Sequence, residues 1–185
     1  MNNKYVYHGS SESGLNNLMP NKSTHGKSWV YATKDKIMSA VFLGTEGGDY
    51  TVQVGRDPEG KVFLTERFEG AFELRYSVSG SIYTLSSEGF LEDLTSWNEE
   101  VVNPSPVKII SEEHVNDVSK YLKESEVKGD IIISYFPERY RVPIDDSDLV
   151  EKAISWVGQF GEREFEHLEK YHPELIVRVK AGLKK

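Results

Sequence analysis

The sequence predicts an α+β protein with a split, mostly antiparallel β-sheet core and C-terminal helices. Between residues 49 and 110 the hydrophobic residues alternate with a period of two, which is typical of half-buried strands. After Ser111 the period becomes helical. Of the 185 residues, 38% are hydrophobic and 28% charged, a composition that permits a sizeable core and argues against general disorder.

The first elements are short and separated by polar loops. Residues 5–8 form an aromatic and β-branched run that stops at Gly9 and Ser10, as a strand entering a loop does. A loop rich in Ser, Asn and Gly extends from there to about Lys27, and residues 29–32 resume strand character. A helix is expected over residues 35–43, with Thr33 able to cap it.

The remaining strands and helices are predicted from the same two hydrophobic periods, of two residues for strands and about 3.6 for helices. Further strands are predicted at residues 50–54, 62–64, 72–76, 81–85, 99–102, 107–110 and 131–133. Helices are predicted from Ser111 towards Gly129, and at residues 145–156, 162–171 and 173–181. We therefore expect one domain over residues 1–129 and a mainly helical extension over 130–185 that can pack on the same core.

Composition narrows the possible functions. A net charge of −8 argues against a general nucleic-acid or anionic-membrane binder. The absence of cysteine excludes disulfides, thiol nucleophiles and Cys-ligated zinc. No cationic leader or long apolar run is present, which predicts a soluble, cytoplasmic protein that does not bind membranes.

The residues that end the first strand are suited to ligand binding. The His8 imidazole can donate a hydrogen bond to a ribose hydroxyl, and Gly9 lets a ligand approach the backbone. Ser10 adds a hydroxyl at the same strand end. A surface histidine before a turn is the alternative interpretation.

A second group of residues surrounds the next strand. The ring of Tyr31 can stack on a planar heterocycle, and the small Ala32 beside it leaves room. The helix that follows contains Ser39 and Phe42, and the preceding loop contains His25, which can contact phosphate or move a proton. A half-buried strand tyrosine and a solvated loop histidine are the plain structural alternatives.

The order of these motifs resembles the opening of the ADP-ribosyltransferase superfamily, in its diphtheria-toxin and poly-ADP-ribose-polymerase branch with a His-Tyr-Glu triad. The resemblance covers residues 5 to 110 and implies a split antiparallel sheet that binds NAD as a substrate. It implies that His8 binds ribose, that the Gly9 backbone contacts the nicotinamide carboxamide, and that Tyr31 stacks on nicotinamide. Ser39 would take the place of the family's small hydroxyl residue. The implied NAD-binding set is His8, Gly9, Ser10, His25, Tyr31, Ala32, Ser39 and Phe42.

The family also implies a glutamate on a later strand. Residues 97–102, with the sequence Trp-Asn-Glu-Glu-Val-Val, resemble the Asn-Glu-x-x-Val strand of that branch. Matching the asparagine selects Glu99, whereas the Glu-Val-Val-x-Pro run favours Glu100. Alternation would send the two side chains to opposite faces, so only one would enter the cleft. Glutamates on an edge strand can also simply discourage edge pairing.

The chemistry explains this choice of residue types. Cleavage of the bond between nicotinamide and ribose builds positive charge on the ribose, which a fixed carboxylate stabilises. The reaction needs no metal, and His167 and His172 lack further ligands for one. We therefore expect ADP-ribosyl transfer to a protein, nucleic acid or small molecule, or NAD glycohydrolysis. The alternatives are a noncatalytic binding module on the same fold and a metal-independent ribonuclease that uses His8, His25 and Tyr31.

Overall fold

The computed structural model describes residues 4–22, 26–95 and 97–184. Its chain packs into two compact units. The first contains Met1–Gly44 and Tyr76–Lys128, and the second contains Thr45–Arg75 and Gly129–Lys185. The chain enters the second unit at Thr45, returns to the first at Tyr76, and enters the second again at Gly129. The segment 45–75, which the prediction assigned to the first domain, belongs to the second unit.

Short strands precede the C-terminal helices. The strands are β1 (Tyr5–Ser10), β2 (Asn17–Leu18), β3 (Asn21–Lys22), β4 (Ser28–Ala32), β5 (Val52–Arg56), β6 (Val62–Glu66), β7 (Gly80–Ser86), β8 (Val101–Asn103), β9 (Val107–Val115) and β10 (Ile131–Ser134). The α-helices are α1 (Lys36–Val41), α2 (Ala71–Tyr76), α3 (Val118–Val127), α4 (Ser147–Phe160), α5 (Arg163–Tyr171) and α6 (Ile176–Gly182). Short 3-10 helices occur at Gly48–Tyr50 and Pro173–Leu175. The structure thus confirms an α+β fold with C-terminal helices.

The first unit contains two antiparallel sheets. One has the strand order β1-β7-β9-β2 and the other the order β3-β4-β8. Within the described residues, β1 and β4 pair at one position, where Tyr7 and Thr33 exchange both backbone hydrogen bonds at 2.7 and 2.8 Å. Beyond this pair the two strands belong to separate sheets, so the predicted split of the sheet lies between β1 and β4.

A buried hydrophobic cluster joins the two sheets of this unit. Its residues are Val6, Leu18, Val30, Ala32, Tyr83, Leu85, Val101 and Val107. Helix α1 packs on β1 and β7 and contacts α3. The N-cap of α1 is Asp35, whose carboxylate accepts from the Ile37 N–H at 2.8 Å, and not Thr33 as expected.

The second unit has its own sheet, with the order β10-β6-β5. Strand β6 pairs antiparallel with β5 and parallel with β10. Leu149, Ala153, Leu168 and Val179 on the C-terminal helices are buried in one hydrophobic cluster. None of the helices in the described part of the chain is long and apolar enough to cross a membrane.

The expectation of a strand at residues 72–76 is wrong, because these residues lie in helix α2. The alternation of Phe72, Leu74 and Tyr76 predicted a strand face. In the structure Phe72 and Tyr76 are fully buried, one helical turn apart, while Leu74 is 45% exposed. The buried Glu66 carboxylate accepts from the Phe72 N–H at 2.7 Å and so holds the first turn.

The expected helix start at Ser111 is also wrong. Strand β9 continues through Ser111 to Val115 because these residues pair with β7. Helix α3 begins only at Val118, after the N-cap Asp117. Glu112, expected in a first helical turn, therefore lies in the sheet directly opposite Tyr83.

Candidate functional site

His8 bridges the split between the two sheets of the first unit. It lies in β1, opposite Tyr83 of β7, and its Nδ1 is 2.7 Å from the backbone carbonyl oxygen of Tyr31. In the antiparallel register set by Tyr7 and Thr33, that carbonyl would otherwise accept from the backbone of Gly9. The imidazole therefore replaces a backbone donor where the strands separate.

This contact determines the tautomer of His8. A carbonyl oxygen only accepts hydrogen bonds, so Nδ1 must bear the proton. Burial lowers the pKa of His8 below its ordinary 6.5, and the bond to the Tyr31 carbonyl opposes only part of that shift. In the neutral ring Nε2 is an acceptor. His8 is thus suited to accept a hydrogen bond from a ribose hydroxyl, whereas the sequence led us to expect donation.

Gly9 lies where β1 and helix α1 come closest together. A Cβ at this position would be 2.3 Å from the backbone oxygen of Ser39, closer than any side chain tolerates. Ser39 is fully buried, and its hydroxyl donates to the Lys36 carbonyl at 2.6 Å within the same helix. Packing of α1 on β1 therefore requires a glycine at residue 9, independently of any ligand.

The backbone of Gly9 has a second property. Tyr7 directs its N–H and C=O towards β4, where they bond to Thr33. Peptide groups alternate along a strand, so Gly9 directs its N–H and C=O to the same side, where β4 has moved away. The gap between β1 and β4 is therefore bordered by a backbone donor and acceptor from Gly9.

Tyr31 lies in β4 with its half-buried ring on the face opposite Val30 and Ala32. The Tyr31 ring contacts the Trp29 ring edge-on, with centroids 6.1 Å apart. His8 thus contacts the backbone of Tyr31 and not its ring. Ala32 is 3% exposed and belongs to the hydrophobic cluster, so packing alone accounts for it.

Phe42 follows helix α1 and packs against a residue that sequence reasoning had not singled out. Its ring meets that of Trp97 edge-on, with centroids 5.1 Å apart. Trp97 is 39% exposed and lies three residues before Glu100. The sequence signal that could have identified Trp97 is an amphipathic aromatic residue just before the candidate glutamates.

The candidate glutamates lie immediately before β8 and not within it. Glu99 is in a turn closed by the bond from the Glu100 N–H to the Trp97 carbonyl at 3.0 Å, and β8 begins at Val101. Both glutamates are half-buried, and Oε2 of Glu100 is shielded from solvent. Val101 pairs with Ala32, and continuing this register by one residue beyond β8 sets Glu100 opposite Thr33, on the Tyr31 face of the sheet. The sequence predicted that Glu99 and Glu100 alternate along one strand, but Glu99 lies in the turn that precedes β8.

Ser10 is the last residue of β1. The Ser10 hydroxyl oxygen accepts from the Glu12 N–H at 3.1 Å. His25 lies outside the described residues.

A separate polar cluster lies inside the second unit. The Arg67 guanidinium is fully buried and pairs with Asp146 and Asp148, each at 2.7 Å. It also donates to the carbonyl of Asp49 and the side chain of Gln53. Asp146 and Asp148 therefore neutralise a buried cation. Among residues 4–22, 26–95 and 97–184, no group of three or more His, Asp or Glu side chains is arranged to hold a metal ion.

The described site residues all come from the first unit. His8, Gly9, Tyr31 and the segment that ends at Glu100 border the gap between β1 and β4 or lie on the strands beside it. Ala32 and Ser39 are buried in the packed interior. The chain matches no known protein-family model, no characterised protein and no solved structure.

Proposed function

We propose that this protein transfers ADP-ribose from NAD to an acceptor, or to water as an NAD glycohydrolase. The observation that supports this best is the hydrogen bond from His8 to the Tyr31 carbonyl across the split between β1 and β4. The neutral His8 ring keeps Nε2 as an acceptor, and the register of Tyr7 with Thr33 directs the neighbouring Gly9 backbone towards the gap. These groups complement a carboxamide and a ribose hydroxyl, the two polar parts of the nicotinamide nucleoside.

The strand order supports the placement of the remaining groups. Strand β4 lies between the gap and β8, so the Tyr31 strand separates His8 from the segment containing Glu100. A planar ring bound to the Gly9 backbone would lie within reach of the half-buried Tyr31 ring. We assign the carboxylate that contacts the ribose to Glu100, because the β4–β8 register, continued by one residue, sets Glu100 on the Tyr31 face.

In the proposed reaction the bond between C1′ of the ribose and the nicotinamide nitrogen breaks. Nicotinamide leaves as a neutral molecule with the bonding electron pair, and positive charge develops on the ribose. The carboxylate of Glu100 stabilises that charge, which is larger in the transition state than in bound NAD. A nucleophilic oxygen or nitrogen of the acceptor then bonds to C1′, and its proton passes to the carboxylate or to water.

The acceptor is a protein, a nucleic acid, a small molecule or water. The net charge of −8 disfavours a large nucleic-acid footprint, since such contacts require clustered cations.

The experiment that tests the proposal measures nicotinamide release from NAD by the wild type, Glu100→Gln and Glu99→Gln. We expect Glu100→Gln to lower the rate by about 100-fold or more, because it removes the stabilising charge while keeping the shape. Binding of NAD, measured by calorimetry, should persist. Glu99→Gln is the matched control on the adjacent turn residue and should retain most activity.

The other outcomes are equally informative. Loss of activity only in Glu99→Gln would transfer the role to that residue, and activity that survives both changes would reject the assigned carboxylate. A wild type that is stabilised by NAD but releases no nicotinamide would be a noncatalytic binding module. A protein that neither binds nor cleaves NAD would overturn the proposal.

A further inference from the structure

The loop after β1 must cross one face of the first sheet. Strand β1 lies at one edge of the order β1-β7-β9-β2, and β2 lies at the other. Residues 11–16, here called the crossing loop, connect these two edges and so pass over β7 and β9. Leu15 packs against the hydrophobic cluster that contains Tyr83, which identifies the face that the loop covers.

This face is also the face of His8. His8 pairs with Tyr83 across β1 and β7, and Tyr83 pairs with Glu112 across β7 and β9. Directly opposed residues in antiparallel strands point to the same side, so the three side chains form one row across the sheet. The row begins at the proposed ribose-binding group and ends at a carboxylate two strands away.

The crossing loop is fixed by side chains of this row. The Gly14 N–H lies 3.1 Å from both carboxylate oxygens of Glu112. The Tyr83 hydroxyl donates to the Glu12 carbonyl at 2.8 Å and accepts from the Leu15 N–H at 3.3 Å. The crossing loop is not part of a β-sheet, and these side chains provide hydrogen-bond partners for its backbone groups.

The carboxylate of Glu112 is itself held in place. The Ser81 hydroxyl donates to Oε1 at 2.6 Å, and the Tyr83 hydroxyl lies 3.2 Å from the same oxygen. Gly14 adopts a φ of +72°, a conformation that glycine reaches without strain, so its amide can turn towards the sheet. Carboxylate, hydroxyls and turn thus form one connected anchor.

From this network we propose that Glu112 is a positioning residue that holds the crossing loop over the His8 face and so orders the nucleotide side of the NAD cleft before NAD arrives. The proposal rests on the proposed function for the identity of the ligand. A loop that is already ordered costs less conformational entropy on binding, so the anchor should act on NAD affinity. Glu112 would contact the loop and not the reacting atoms.

The first arm of the test does not depend on NAD. Amide hydrogen exchange, followed by NMR, is compared between the wild type, Glu112→Gln and the control Glu113→Gln. Glu113 is the neighbouring residue of β9, lies on the opposite face, and pairs with Lys36 of α1. We expect the Gly14 amide to exchange about fivefold faster or more in Glu112→Gln, since it loses a charge-assisted hydrogen bond, and to be unchanged in Glu113→Gln.

A second variant shows which loop amides each side chain protects from exchange, and so distinguishes loss of one contact from a general folding defect. Tyr83→Phe removes the bonds to Glu12 and Leu15 and the contact of the Tyr83 hydroxyl with Glu112, but it leaves the direct bond from the Gly14 N–H to the Glu112 carboxylate. It should therefore accelerate exchange at Leu15 more than at Gly14. Unchanged Gly14 exchange in Glu112→Gln, or equal acceleration of all loop amides in both variants, would overturn the anchor.

The second arm measures steady-state nicotinamide release. In Glu112→Gln we expect KM for NAD to rise about fivefold while kcat changes by less than about twofold, because ordering affects binding and not bond cleavage. A fall in kcat at constant KM would overturn the positioning role. Absence of turnover in the wild type would overturn the proposed function and, with it, the role towards NAD, while the exchange arm would still decide whether Glu112 anchors the loop.

Discussion

The imidazole of His8 donates to the backbone carbonyl of Tyr31 at 2.7 Å, across 23 positions of the chain. This bond replaces the one that the Gly9 N–H would make if β1 and β4 continued as a ladder. The sheet is therefore split without leaving the Tyr31 carbonyl unsatisfied. Strand alternation directs the Gly9 backbone towards β4, and because His8 takes the Tyr31 carbonyl, the Gly9 N–H faces the gap instead, which is why the bond is central to the proposed site.

Two substitutions of Tyr31 distinguish the contribution of its ring to NAD binding from that of its hydroxyl. Tyr31→Phe keeps the stacking surface and the carbonyl that His8 uses, so we expect NAD affinity within about threefold of wild type. Tyr31→Ala removes the ring and should weaken binding by about tenfold or more. Calorimetric titration with NAD measures both. Equal losses in the two variants would indicate that the hydroxyl, and not the ring, contacts the ligand.

Gly9→Ala should destabilise the first unit. The new Cβ would lie 2.3 Å from the backbone oxygen of Ser39, so α1 must shift, at a cost of about 1–3 kcal/mol. Gly158→Ala is the control: a Cβ added to this helical glycine would have no neighbouring atom within 4 Å, and the change should stabilise by about 0.5–1 kcal/mol. Urea unfolding followed by circular dichroism compares the two, and a neutral Gly9→Ala would contradict the close packing.

His8 should make stability depend on pH. Its pKa is lower in the folded protein than the ordinary 6.5, because burial disfavours the imidazolium. Below pH 6.5 the unfolded chain therefore binds more protons than the folded one, so stability is complete above that value and declines as pH falls towards the folded pKa.

The measurement for this prediction is the urea midpoint at about pH 7.5 and about pH 5.5 for the wild type and His8→Gln. The wild type should lose more stability on acidification than the variant, which has no imidazole at residue 8. His114→Gln, at an exposed position of β9, is the matched substitution control. An identical pH response of the wild type and His8→Gln would show that His8 does not contribute.

Arg67 should be essential for the stability of the second unit. Arg67→Met leaves Asp146 and Asp148 without the buried cation that both contact, and we expect a loss of about 3–5 kcal/mol. Arg178→Met removes an exposed pair with Asp145, 41% and 66% exposed, and should cost less than about 1 kcal/mol. Thermal unfolding of both variants compares their stability. Similar losses of stability would mean that the buried ion pairs of Arg67 stabilise the protein no more than the exposed pair of Arg178.

Local patterns in the sequence determine much of the fold. The alternation in residues 50–54 and 81–85 and the helical spacing after Asp145 correspond to β5, β7 and the C-terminal helices. These predictions succeeded because the buried faces of strands and helices have characteristic periods of 2 and about 3.6 residues. In residues 72–76, where the alternation also predicted a strand, the chain is helical and the Glu66 carboxylate accepts from the Phe72 N–H in the first turn.

The sequence by itself determined which residues have suitable chemistry: an imidazole next to a glycine, an aromatic strand and a pair of glutamates. Only the tertiary structure decided that His8 contacts the Tyr31 backbone, that Glu99 lies in a turn, and that β9 extends through Glu112. Each of these depends on strand pairing between distant segments, and pairing register cannot be deduced from the periodicity of one segment alone.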